Sequence, residues 1–256
     1  MKAGVPESLV ADIAATSHAH ETALVHGGGD LVTDVATRLG KEQRFIVSPD
    51  GMKSRYTDRE TAEIYTMVMS GLIAKRIVLA LRSRGVNAVS ISGLDGGLIT
   101  AKRKQRLAIV DERGRKVMID GGYTGRVTSV NGGLVGLLMS KGFVPVVSPV
   151  ALGEGHEPLN IDGDRAASSL AAGIGADAAI FATNVDGVLL DGKLVEHIPA
   201  AGVPELLPRI GYGMQKKVLA ASEAVGKGVK EAIICSGTRQ DPVARAISHE
   251  SCTVIT

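Results

Sequence analysis

Short apolar runs, glycine- or Asx-rich breaks and amphipathic stretches follow one another along most of this chain. The runs Ala23–His26, Ala88–Ser92, Val144–Ser148, Ala178–Thr183, Glu231–Cys235 and Cys252–Ile255 predict strands. Apolar residues recur every three to four positions over Leu9–Ser17, Asp30–Leu39, Arg59–Arg84, Leu134–Lys141, Asp164–Ile174 and Met214–Gly226, which predicts helices. Strands alternating with helices predict an α/β fold, a three-layer sandwich with a mainly parallel central sheet. Over Leu107–Ile119 the pattern changes: two β-like runs flank Asp111-Glu112-Arg113-Gly114, predicting a protruding antiparallel hairpin. Gly, Glu and Pro interrupt the pattern at Ala151–Pro158, which suggests one domain of two lobes, residues 1–152 and 153–256.

One strand-to-helix junction carries the first chemistry. Leu24-Val25-His26-Gly27-Gly28-Gly29 runs straight into the helix that begins near Asp30. Glycines there let the backbone turn tightly, and the free N–H groups of the first helical turn favour an anion. No Gly-Lys-Ser/Thr closes the loop, so it is not a Walker A motif. The competing reading is a tight turn with no ligand.

Composition narrows the class. The 256 residues allow one large α/β domain or two closely packed lobes. Aromatics are only 3% with no Trp, so the core rests on aliphatic residues. No single apolar run reaches membrane-spanning length, and the N-terminus lacks a signal pattern. Cys235 and Cys252 form no CxxC pair and read as buried thiols in a reducing cytoplasm. A net charge of +2 does not point to nucleic acid. Yet Lys102, Arg103, Lys104, Arg106, Arg113, Arg115 and Lys116 cluster around the hairpin, against Asp111 and Glu112. Such a cluster is either a solvated face or a means of steering an acidic partner.

Three further segments follow in order. In Lys53-Ser54-Arg55-Tyr56-Thr57-Asp58, Thr57 or Asp58 is placed to cap the next helix, and Arg55 suits bidentate capture of a carboxylate. In Leu159-Asn160-Ile161-Asp162-Gly163-Asp164, the polar residues are spaced by two, and Asp164 is a candidate helix cap. The string lacks the Glu that an EF-hand loop requires. Last come the turn Asn184-Val185-Asp186-Gly187 at a strand's carboxyl end and a glycine loop, Gly211-Tyr212-Gly213-Met214, that delivers a lysine, Lys217, at the start of a helix. Lys217 is a candidate for holding a phosphoryl group in flight.

His26-Gly27-Gly28-Gly29, Asn160-x-Asp162-x-Asp164 and Gly213-Met214-x-x-Lys217, in that order, resemble the amino-acid kinase superfamily, in its acetylglutamate kinase branch. Ser54-Arg55-Tyr56-Thr57-Asp58 and Asp120-Gly121-Gly122-Tyr123-Thr124-Gly125 look closest to the archaeal kinases of lysine and arginine biosynthesis. Those act on 2-aminoadipate or glutamate attached to the small acidic carrier protein LysW. The resemblance implies that Gly28 and Gly29 offer N–H groups near the γ-phosphoryl group and substrate. It gives Arg55 the substrate's α-carboxylate and Asn160 its amide-linked portion. Asp164 would orient the catalytic lysines and Lys217 would stabilise the transferring group. Asp186, Gly211, Gly213 and Met214 would line the ATP site, with Mg²⁺ carried mainly by the phosphates. A homodimer is implied by the family alone. A kinase of free N-acetylglutamate and a non-catalytic ligand-binding remnant are the alternatives.

One departure stands out. The family opens with a strand ending in Lys-x-Gly-Gly, whereas this chain reads Met1-Lys2-Ala3-Gly4-Val5-Pro6. The expectation is a chain truncated at its start, lacking one catalytic lysine and a central strand.

Overall fold

The computed structural model describes residues 5–256. The echo Lys2-Ala3-Gly4 therefore lies outside the described residues. Helix α1 (Glu7–Ala19) precedes strand β1 (Leu24–Val25), which enters α2 (Gly29–Arg38) through the glycine loop. Strands β2 (Phe45–Val47) and β3 (Lys53–Arg55) form a small hairpin. A continuous helix follows as α3 (Arg59–Thr66), a π-type segment (Met67–Ile73) and α4 (Ala74–Arg82). Strands β4 (Ala88–Gly93) and β5 (Ile99–Arg103) lead to the hairpin of β6 (Arg106–Val110) and β7 (Lys116–Asp120). Next come β8 (Gly125–Val130), α5 (Gly132–Ser140), β9 (Val144–Gly153), β10 (Pro158–Asn160), α6 (Gly163–Gly173) and β11 (Ala178–Thr183). The rest comprises β12 (Leu189–Leu190), β13 (Lys193–Leu194), β14 (His197–Ile198), α7 (Val203–Leu206), α8 (Tyr212–Gly226), β15 (Glu231–Ser236), α9 (Pro242–Ile247) and β16 (Cys252–Ile255).

Strand β9 is the spine of the first sheet. Its first half lies between β1 and β4, both parallel to it. Its second half takes up parallel β5 and antiparallel β10, and β5 carries antiparallel β8. Burial on both faces explains why Val-Pro-Val-Val-Ser-Pro-Val shows no polar alternation. The second sheet runs β11-β15-β16-β14, with β15 and β16 antiparallel. Both β1 and β11 pack against α6, but they lie in separate sheets. Parallel pairings outnumber antiparallel ones in these two sheets, as expected of a mainly parallel arrangement, but the strands form two sheets rather than one. The alternation of elements in the sequence does not separate these cases, since one sheet and two bury the same apolar runs.

Layering follows from which faces are apolar. One face of the first sheet is covered by α1, α2 and the long helix, which bury Val32, Met69, Ile77 and Leu81. The other face holds Val135 of α5 with Ala166 and Leu170 of α6. In the second sheet, Val218 and Ala221 of α8 pack on Ile234 and Ile255. On its other side Ala246 of α9 joins Cys235 and Cys252, which stand opposite each other across β15 and β16.

One expectation needs correcting. The helix Arg59–Arg82 is long and apolar enough, by length and composition, to cross a membrane. Here much of its apolar surface, including Ile64, Tyr65, Val68, Met69 and Ile73, lies in the first core.

Candidate functional site

The glycine loop is shaped for close approach. Gly28, with φ 154°, is the N-cap of α2, and a side chain there would collide with Ile73 Cδ1. His26, just before it, is buried; its Nδ1–H donates to the Gly27 carbonyl at 3.1 Å, and Nε2 lies 3.0 Å from Ser148 Oγ. Burial lowers the His26 pKa from its ordinary value, more than the Gly27 bond raises it. The ring is therefore a neutral, structural group that ties the loop to β9.

Arg55 closes on this loop from β3. Its guanidinium donates to the Gly29 carbonyl at 2.7 Å, to Thr33 Oγ1 at 2.9 Å and to Gln43 Oε1. Phe45 lies under it at 5.0 Å. Burial lowers the Arg55 pKa from its ordinary value. Protein atoms thus already engage both Nη groups, and a carboxylate must take the remaining N–H donors or displace Thr33. Asp58, not Thr57, caps α3, accepting from the Thr61 N–H at 2.8 Å. Thr57 is instead fully buried: its carbonyl accepts from the Tyr123 N–H at 2.6 Å, and its hydroxyl accepts from Asn160 Nδ2 at 2.9 Å. Asn160 is thereby tied to the segment that carries Arg55 and to the base of the protruding hairpin.

Asn160 leads directly into α6. Asp162 is the N-cap there, accepting from the Arg165 N–H at 3.1 Å, which corrects the assignment of the cap to Asp164. Relieved of capping, Asp164 receives Lys217 Nζ at 2.7 Å, and both side chains are half-buried. Gly163, at the start of α6, faces the His26 carbonyl. Neighbouring Lys216 donates to the Lys53 carbonyl at 2.6 Å, joining α8 to the strand that bears Arg55. Glycine loop, Arg55, α6 start and α8 lysines therefore converge.

The presumed glycine loop is helical. Gly211 is the N-cap of α8, Gly213 and Met214 lie in its first turn, and Met214 packs on the second core. The two glycines interrupt the apolar period, so in the sequence the helix shows only from Met214. Asp186, after β11, is gripped by Arg239, whose Nε and Nη2 each donate at 2.6 Å. Arg239 was not foreseen, because the contact spans 53 residues. Lys104 was foreseen only as part of a charged face. The structure places it half-buried with Asp162, Arg165, Arg126 and Lys216 as its charged neighbours. A recess of about 230 Å³ lies elsewhere, between the end of α1 and Phe143, and none of its lining residues is Lys or Arg.

Comparison with known proteins decides the family. The amino acid kinase family matches residues 3–236. This chain belongs to the amino acid kinase family. A protein of Cenarchaeum symbiosum, which bears the name "Putative LysW-aminoadipate/LysW-glutamate kinase", is 60% identical over 91% of this amino acid kinase and 87% of its own length. A LysW-aminoadipate/LysW-glutamate kinase from Saccharolobus islandicus is 45% identical over 91% of the chain and 88% of its own. Among solved structures, N-acetylglutamate synthase from Neisseria gonorrhoeae has a TM-score of 0.78 at 22% identity, covering 98% of this kinase and 55% of that chain. Carbamate kinase from Giardia lamblia has a TM-score of 0.69 at 17% identity, covering 97% and 89%. These two likenesses concern the fold alone.

Proposed function

We propose that this kinase phosphorylates the side-chain carboxylate of 2-aminoadipate or glutamate linked to the carrier protein LysW. The products are an acyl phosphate and ADP. Family membership makes the enzyme a phosphotransferase acting on a carboxyl group, with ATP as donor. The observation that carries the reading is the Asp164–Lys217 pair at 2.7 Å, set at the helix start beside the glycine loop.

In the reaction a carboxylate oxygen attacks the γ-phosphorus, and the bond to the β,γ-bridging oxygen breaks. A side-chain carboxylate is already ionised at neutral pH, so no general base is needed. Catalysis is positioning plus electrostatic stabilisation. We assign Lys217 to the charge on the transferring group and Asp164 to holding that ammonium. Gly28 and Gly29 supply backbone N–H groups, Arg55 takes the α-carboxylate and Asn160 the amide-linked part. Asp186, Gly211, Gly213 and Met214 are assigned to the nucleotide, residues 1–152 to the acceptor lobe and residues 153–256 to the ATP lobe. Strand β10 nevertheless pairs with β9, so the first sheet reaches past that division to Asn160.

Magnesium is assigned to the phosphates of ATP, on the family's example. Among the described residues no three His, Cys, Asp or Glu side chains gather to hold a metal. Asp162 accepts the Arg165 backbone N–H, and Asp164 and Asp186 pair with the side chains of Lys217 and Arg239. The ion would neutralise phosphate charge when bound. A cytoplasmic homodimer accompanies this reading, on the family's example.

The test is ADP formation with carrier-linked aminoadipate, carrier-linked glutamate and free N-acetylglutamate. Turnover with a carrier-linked substrate is expected. Turnover with free N-acetylglutamate alone overturns the acceptor assignment. Nucleotide binding without any turnover points to the non-catalytic alternative.

A further inference from the structure

We propose that Lys104 is an anion-binding residue of this site, placed to hold oxygens of the reacting carboxylate or phosphoryl group. The inference deepens the kinase reading and rests on it.

Backbone contacts fix where Lys104 stands. It follows β5, and its N–H donates to the Thr124 carbonyl at 2.9 Å. Its carbonyl presses against Gly121, where a Cβ would collide with it. Thr124 in turn bridges to Asn160, two residues before the Asp162 cap of α6. Lys104 is thus one strand away from the start of the helix that carries Asp164.

Its surroundings are short of negative charge. The charged neighbours are three cations, Arg165, Arg126 and Lys216, and one carboxylate, Asp162. Asp162 accepts the Arg165 N–H and is the one charge that favours the Lys104 ammonium, Arg165 pairs with Glu223 at 3.2 Å, and Lys216 donates to the Lys53 carbonyl. Lys104 is half-buried and, among the described residues, makes no side-chain hydrogen bond or ion pair. Burial and the like charges both lower its pKa from the ordinary value. A partly desolvated ammonium among cations costs stability unless an anion joins it. The anions this enzyme handles are carboxylate and phosphate, and the free N–H groups at the start of α6 favour the same sign.

The experiment compares wild type, Lys104→Met and Lys104→Arg in the full chain. Calorimetry measures AMP-PNP and ADP binding, and steady-state kinetics measure kcat and the acceptor KM. If the γ-phosphoryl group is the anion, Lys104→Met weakens AMP-PNP about tenfold and leaves ADP within twofold. If the acceptor carboxylate is the anion, acceptor KM rises about tenfold and nucleotide binding is unchanged. In either case Lys104→Arg recovers part of the loss. The proposal is overturned if AMP-PNP affinity, acceptor KM and kcat all stay within twofold, or if ADP and AMP-PNP affinity fall equally. A wild-type enzyme that binds AMP-PNP but phosphorylates no acceptor defeats the reaction assigned above, while the AMP-PNP against ADP comparison still reads Lys104.

Discussion

Lys217 Nζ lies 2.7 Å from Asp164 Oδ1, joining α8 to α6 where Asp162 has relieved Asp164 of capping. One ammonium is thereby held by one carboxylate, and under the proposed function the pair is expected to act as a unit. Removing a charge-stabilising donor of this kind costs about 10²–10³ in kcat. Lys217→Met should show that loss in a coupled assay for ADP. Asp164→Asn should lose less, because the ammonium remains. The double variant should be no worse than Lys217→Met alone, since a unit is lost only once. Additive losses would show that the two residues act separately.

Gly28 tests the loop by shape. With φ at 154° and Ile73 Cδ1 in the way, Gly28→Ala forces both backbone and core to shift. About 1–3 kcal/mol of destabilisation is expected. Gly27 has no atom within 4 Å of an added Cβ, so Gly27→Ala should stay within about 0.5 kcal/mol of wild type. Urea midpoints for the two variants check this. Equal midpoints would mean that the collision is relieved at no cost.

The local parts of this site were legible in the sequence, and the long-range parts were not. His26 to Gly29 lie at a predicted strand-to-helix junction, and Arg55 and the Asn160–Asp164 string lie where predicted helices begin, so glycine, capping residues and spacing speak directly there. The β6–β7 hairpin was equally plain, because Asp111 to Gly114 interrupt two β-like runs. What stayed hidden depended on partners far along the chain. The sequence does not say that Asp162 rather than Asp164 takes the cap, since both are aspartates at the start of the same apolar period. Arg239 on Asp186 and Lys104 beside α6 arise only when separate strands meet. Short elements such as β10 and α9 were missed because three to six residues carry too little periodicity.

The hairpin's basic residues are not equivalent. Arg103 turns inward, donating to the Gly122 carbonyl at 2.5 Å with its guanidinium 4.5 Å from the Tyr123 ring. Lys102, Arg106 and Lys116 stay exposed. Reversing those three to Glu should slow association with an acidic carrier by about tenfold or more at low salt. The difference should shrink above about 0.1 M salt, where the Debye length falls to about 10 Å. AMP-PNP affinity should not change. Stopped-flow association across a salt series checks it, and a rate insensitive to the reversal would remove the hairpin from carrier recognition. Arg103→Glu should behave differently, loosening the hairpin base and lowering thermal stability.

His26 makes the glycine loop acid-sensitive. Its folded pKa lies below the ordinary value of about 6.5 because burial disfavours the charged ring. The unfolded chain therefore takes up the proton first as pH falls. Stability from this group is fully present above about pH 6.5 and is lost as pH falls through the folded pKa. Between the two values each pH unit costs at most about 1.4 kcal/mol. Urea midpoints for wild type should thus drop between pH 7.5 and 5.5. His26→Asn removes the titrating ring, so its midpoint should be lower at pH 7.5 but flatter over that range. Parallel slopes for the two proteins would assign the acid loss to other groups. In the wild type, AMP-PNP affinity should fall with the midpoint, because the Nδ1–H bond to Gly27 and the contact with Ser148 tie the loop to β9.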